Sequence, residues 1–185
     1  MLTKLNDINQ TWTLFIDRDG VVNEEKQGDY IHHWNEFKFY SHAKEAFAKF
    51  NRIFGTIVMV TNQRGVARGL TRMEDLNTIH ANMLDEIQKA GGRIDKIYVC
   101  TDLESENRKP NPGMGLMALN DFPQIRLNKS VMIGNSISDM DFGRNLGVAI
   151  NIFLSTTHKD TYLNDTKIDL VFDDLISVAN ALSVR

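Results

Sequence analysis

Cysteine is almost missing from this chain: Cys100 stands alone among 185 residues. No intrachain disulfide can form, so an oxidising compartment gains no support and the cytoplasm is the expected home. Long apolar runs are missing too. None approaches the roughly 20 residues needed to cross a bilayer, and the polar stretch from Met1 to Gln10 lacks the apolar run expected of a signal peptide. An excess of basic charge is equally absent. Lys and Arg number 21 against 24 Asp and Glu, a formal charge of -3, which provides no field for nucleic acid or an anionic membrane. There is no repeat, low-complexity tract or linker. With 42% hydrophobic and 24% charged residues, the chain reads as one globular domain over residues 1–185, expected to be an open monomer.

Short runs of β-branched and aliphatic residues recur at Trp12–Ile16, Thr56–Val60, Ile94–Val99, Val131–Ile133, Val148–Ile152 and Leu170–Phe172. Each reads as a strand buried on both faces. Helical spacing fills Ala43–Phe54, Met73–Ala90 and Met114–Asp121. A last strand and helix are expected between Ser155 and Arg185. Alternation of the two predicts an α/β, Rossmann-like three-layer sandwich with a mostly parallel sheet.

Such sheets bind ligands beyond the carboxyl ends of their strands. Those places carry Asp17-Arg18-Asp19-Gly20, Thr61-Asn62-Gln63-Arg64-Gly65, Arg108-Lys109-Pro110, and Gly134-Asn135-Ser136 with Asp139. Two carboxylates one residue apart are costly unless a cation or a proton sits with them. Magnesium suits a site of few oxygen ligands that keeps its waters and bridges to phosphate. Asp17 can then attack phosphorus, and Asp19 can serve as acid and base, protonated when required. Thr61 and Lys109 suit the equatorial phosphoryl oxygens. Asn111-Pro112 reads as the cap and first residue of the next helix, whose positive end faces the anion. Alone, each piece has a plain alternative: a turn, a strand-end hydroxyl, a surface lysine, a helix-capping charge. Together, after successive strands, they point to phosphoryl transfer.

The motifs Phe15-Ile16-Asp17-Arg18-Asp19-Gly20-Val21-Val22-Asn23, Val60-Thr61-Asn62-Gln63-Arg64-Gly65-Val66-Ala67-Arg68-Gly69 and Arg108-Lys109-Pro110-Asn111-Pro112-Gly113-Met114 resemble those of the haloacid dehalogenase superfamily. The similarity is to its D,D-heptose 1,7-bisphosphate and histidinol-phosphate phosphatases. That resemblance implies Asp17 as nucleophile, Asp19 as acid and base, and Thr61 and Lys109 as phosphoryl holders. It implies Asn62, Arg64 and Arg108 as contacts to the rest of a small phosphorylated metabolite, and Mg2+ held by Asp17, Asp19, residue 135 and Asp139. Gly28-Asp29-Tyr30-Ile31-His32 resembles the family's mobile flap, which brings His32 to the substrate; His33 reads equally well as an exposed loop histidine. No insertion is long enough for a separate cap domain.

Two departures stand out. Between Cys100 and Arg108 the subgroup carries a zinc loop of cysteines and a histidine, which this chain lacks, so zinc is not expected. Asn135 stands where the fourth motif has aspartate, which removes one charge from the cation site. A weakly active or inactive phosphometabolite-binding module is therefore an alternative to the enzyme. A phospho-accepting signalling domain is the more distant one, because its acidic pair precedes the phosphorylated aspartate differently along the chain.

Overall fold

The computed structural model describes residues 2–157 and 165–183; His158, for which the sequence suggests no role, lies outside them. Among the described residues the chain runs β1 (Thr13–Ile16), α1 (Ala43–Ile53), β2 (Thr56–Asn62), α2 (Met73–Lys89), β3 (Lys96–Cys100), α3 (Gly113–Asp121), β4 (Ser130–Gly134), α4 (Ile137–Leu146), β5 (Ile150–Leu154), β6 (Leu170–Phe172) and α5 (Leu175–Ser183). All six strands are parallel, in the order β3-β2-β1-β4-β5-β6. The expected α/β sandwich is what forms.

Alternation along the central strands explains why they read as unbroken apolar runs. Leu14 and Ile16 of β1, Ile57 and Met59 of β2, and Val131 and Ile133 of β4 face one side, where Phe47 and Phe50 of α1, Met83 of α2 and Val178 of α5 cover them. Phe15, Val58, Val60 and Met132 face the other side, against Met114 of α3 and Met140 and Phe142 of α4. Phe15 meets Phe142 edge-on, 6.4 Å between ring centres. Both faces are covered, so alternation of polarity is lost.

The sequence reading needs correction at the edges. β3 and β6 are edge strands, and Lys96 and Val171 are exposed, so these two are not buried on both faces. Pro112, not Asn111, precedes the first turn of α3; the Asn111 amide instead donates to the Ser105 carbonyl at 2.9 Å. α4 shows no strong apolar periodicity in sequence, and is fixed by its cap: Ser136 and Asp139 form a capping box, and Gly147 closes the helix with a left-handed φ of 91°.

Topology places the site. The chain moves outward from β1 through β2 to β3 and then returns to the opposite side of β1 as β4. Connections therefore diverge at the carboxyl ends of β1 and β4, which leaves a crevice there. Gly134, the last residue of β4, lies so close to the Asp139 side chain that a methyl group on it would overlap the Asp139 carboxylate. Gly134→Ala is expected to cost about 1–3 kcal/mol through this overlap, read from urea unfolding; unchanged stability would mean that α4 can shift freely away from β4.

Candidate active site

Asp17 leaves β1 with its amide donating to the Ile133 carbonyl of β4 at 3.0 Å, so the sheet itself aims the residue into the crevice. Lys109 comes from the loop after β3. Its ammonium donates to Asp17 Oδ1 at 2.7 Å, to Asp139 Oδ1 at 2.6 Å and to the Val60 carbonyl at 2.8 Å. All three of its donors are engaged. Burial opposes the charge on Lys109, but the carboxylates of Asp139 and Asp17 outweigh it and hold the pKa above the usual lysine value. Asn62 explains how the loop reaches this position: its amide donates to the Lys109 carbonyl and accepts from the Lys109 amide, each at 3.0 Å. The Asn62 side chain thus extends the β2 ladder onto the loop and positions Lys109.

Asp19 is held differently. Arg18, fully buried, reaches both of its carboxylate oxygens at 2.9 Å; Asn23 donates to Oδ1 at 2.9 Å and Gln63 to Oδ2 at 2.7 Å. Burial raises the Asp19 pKa, yet the Arg18 charge and these hydrogen bonds prevail and keep it below the ordinary carboxylate range. The resting group is therefore ionised. Gln63 Nε2 also donates to Thr61 Oγ1 at 2.8 Å, and Thr61 is buried beneath the floor of the crevice. Behind Arg18 stands His80 of α2, whose Nε2 lies 3.0 Å from an Arg18 nitrogen. Because guanidinium has no acceptor, His80 must accept through Nε2 and carry its proton on Nδ1.

Asp139 is buried. Its Oδ2 accepts from the Ser136 amide at 3.0 Å and the Ser136 hydroxyl at 2.7 Å while its other oxygen holds Lys109. Asn135 directs its amide nitrogen to Glu25 at 3.3 Å and Thr157 at 3.1 Å. Asp17, Asp19, Asn62, Arg64, Arg108, Lys109, Asn135 and Asp139 all line one cavity of about 370 Å³, within the range of metabolite sites. Thr61 and His32 do not line it. His32 bonds Thr71 Oγ1 at 3.0 Å and Asp29 at 3.1 Å, fastening the flap to the loop after β2, while His33 is exposed beside Asp75.

The donor set suits a hard cation. Asp17, Asp19 and Asp139 face two buried cations, Arg18 and Lys109, so with all three carboxylates ionised one negative charge is uncompensated. Burial, the largest influence, pushes the Asp17 carboxyl up; Lys109 pulls it down; Asp139 and Asp19 push it up again, to about 7. Asp17 Oδ2 and Asn135 Oδ1 have no hydrogen-bond partner among the described residues. Asp19 and Asp139, whose oxygens accept from protein donors, add negative charge beside these two oxygens. No three His, Cys, Asp or Glu side chains form a ready-made cage among the described residues.

The loop that lacks the zinc ligands is closed by hydrogen bonds. Cys100 Sγ lies 3.4 Å from Ser105 Oγ, the Arg108 amide donates to the Ser105 carbonyl at 3.1 Å, and the Gly113 amide donates to Glu106 at 2.9 Å. Arg108 is carried to the cavity wall by these contacts.

Arg18, Gln63 and His80 escaped the sequence reading; only the position of Arg18 between two carboxylates hinted at a partner. Burial, and then the Arg18 charge, lower the His80 pKa to about 3. The folded value lies below the unfolded one, so between about pH 6.5 and 3 the unfolded chain binds a proton that the folded chain refuses. Stability from neutral His80 is complete above pH 6.5 and drains as pH falls. From pH 6.5 downward, wild type should lose roughly 1.4 kcal/mol per pH unit more than His80→Gln, measured by urea unfolding at several pH values; parallel curves would refute the neutral histidine.

Comparison with known proteins agrees with this geometry. A family model described as polynucleotide kinase 3 phosphatase matches residues 13–173. D-glycero-alpha-D-manno-heptose-1,7-bisphosphate 7-phosphatase of Mycobacterium tuberculosis is 36% identical over 141 residues, 75% of this chain and 74% of that one. D-glycero-beta-D-manno-heptose-1,7-bisphosphate 7-phosphatase of Vibrio cholerae is 32% identical over 179 residues, 91% of this chain and 95% of that one. The crystal structure of D,D-heptose 1,7-bisphosphate phosphatase from B. bronchiseptica, complexed with magnesium and phosphate, superimposes with a TM-score of 0.82 at 28% identity, covering 92% of this chain and 97% of that one. An acidic pair at the switch point of a parallel sheet, a lysine clamped behind it and a match over most of the chain place this protein in the haloacid dehalogenase-like polynucleotide kinase 3 phosphatase family.

Proposed function

We propose that this chain is a magnesium-dependent phosphatase of small sugar phosphates, with heptose bisphosphates as first candidates and histidinol phosphate as the next, acting through a phosphorylated Asp17. The observation that carries the reading is the Asp17 carboxylate: one oxygen is fixed by Lys109 and the other is unpartnered on the wall of a metabolite-sized cavity. The net charge of -3 argues against a polynucleotide substrate.

Asp17 Oδ2 forms a bond to phosphorus as the bond to the leaving oxygen breaks, and that oxygen takes a proton from Asp19. Phosphoryl charge beside Asp19 raises its proton affinity, which provides the acid form. In the second half Asp19 acts from its resting ionised state, taking a proton from the water that attacks the phosphorus of phospho-Asp17. Lys109 holds the Asp17 carboxylate in line, while Asn62 and Asp139 hold Lys109. Magnesium, when bound through Asp17 and Asn135, neutralises charge on the transferring group. The single charge missing at Asn135 is the feature that favours the binding-module alternative.

Purified protein with magnesium should release phosphate from both anomers of heptose 1,7-bisphosphate in a screen of sugar phosphates. Asp17→Asn should lower the rate by at least about a thousandfold while retaining cooperative unfolding, whereas a zinc-selective chelator should leave the rate unchanged. Tight ligand binding without release at any magnesium concentration would establish the binding module; full activity in Asp17→Asn would eliminate the nucleophile.

A further inference from the structure

The Asn135 amide has two unlike faces, an oxygen that accepts and a nitrogen that donates, and only the oxygen can serve a cation. The rest of the residue is fixed. It is 3% exposed, its backbone amide donates to Asp139 Oδ2 at 3.2 Å, and its side chain lies against Gly20, where a Cβ would stand 1.9 Å from Nδ2. The remaining choice is which way the amide faces. Two residues bond Nδ2: Thr157 Oγ1 at 3.1 Å and Glu25 Oε2 at 3.3 Å. A hydroxyl both donates and accepts, so Thr157 would serve either face of the amide. An ionised carboxylate only accepts, so Glu25 takes the nitrogen and repels the oxygen. Oδ1 is thereby the face without a protein partner among the described residues.

Glu25 is free for this task. Among the carboxylates lining the cavity, Asp17 and Asp139 are paired with Lys109, Asp19 with Arg18, and Asp29 with Lys26 and His32. Glu25 lines the same cavity and has no cationic partner among the described residues. Its side chain is exposed, yet the backbone before it is tied down. The Glu24 amide donates to the Lys38 carbonyl at 2.8 Å, and buried Asn23 donates through Nδ2 to the Glu24 carbonyl and to Asp19 Oδ1, each at 2.9 Å. One side chain thus holds Asp19 and delivers Glu25.

We propose that Glu25 is a positioning residue for the cation: by taking the Asn135 nitrogen it presents Oδ1 to the ion. This rests on the magnesium reading of the site and adds to it a residue outside the donor set on which affinity depends. A neutral amide carries one charge fewer than a carboxylate, and Glu25 places that charge one hydrogen bond further out. The segment between Asp19 and the flap then takes part in cation binding.

Magnesium chloride titrated into the full chain, followed by calorimetry, reads the affinity without turnover. Glu25→Gln and Glu25→Ala should each weaken binding about tenfold, the low end for the outer partner of a metal-binding side chain, because Glu25 is exposed. Asn135→Asp removes the donor face, so in that background the same two substitutions should not weaken binding. Wild-type affinity in both single variants overturns the proposal and leaves the magnesium reading in place. A loss as large in the Asn135→Asp background as in the wild-type one also overturns it, since Glu25 would then act through its charge alone. A wild-type chain that binds no magnesium overturns the reading of the cation site, and this proposal with it.

Discussion

The ammonium of Lys109, enclosed by Asp17, Asp139 and the Val60 carbonyl, is the contact on which the crevice depends. A buried cation is tolerable only where its charge and all its donors are answered, and removing one partner of such a group leaves an expensive remainder. Each partner comes from a different part of the fold: β1, α4 and β2. The charge therefore couples the three segments, and Lys109 is delivered by a fourth, the loop after β3. Asn62 secures that delivery by pairing with the backbone of Lys109, while Ser136 fixes the other side of Asp139 as it caps α4. Helix capping and active-site electrostatics share one carboxylate here, so a helix end determines where an ammonium sits.

Arg18 repeats the principle on the acid–base side. Its guanidinium is held by Asp19, Gln63 and a histidine kept neutral by burial. Neutral His80 accepts a hydrogen bond without adding a third charge to a buried pair, and this leaves Asp19 as the counter-ion of Arg18. The floor thus has two ion-paired halves, joined through Gln63 and Thr61, with Asp17 Oδ2 projecting between them toward the cavity.

Much of this was legible before any fold was known, because it follows from chain order. Asp17, Asp19, Asn62, Arg64 and Asn135 sit at or just after the carboxyl ends of strands and Lys109 in the loop after β3, and a parallel sheet brings those ends together whatever the details of packing. What escaped the reading depends on contacts across long separations. Gln63 meets Asp19 across 44 residues and His80 meets Arg18 across 62; neither distance leaves a trace in local pattern. Asn62 and Thr61 read as polar strand ends suited to substrate, yet their hydrogen bonds face inward, a choice set by where the Lys109 backbone and the Gln63 amide arrive. β3 and β6 carried the same apolar composition as the central strands, and composition does not tell an edge from a centre.

Floor and rim divide the electrostatic work. With its three carboxylates ionised the floor has one negative charge more than its cations, which opposes a phosphate there until a divalent cation offsets it. The rim has three arginines, Arg64, Arg68 and Arg108, without carboxylate partners among the described residues, and they attract anions. The lining of one cavity therefore carries both signs of charge, which orients an anionic ligand along it.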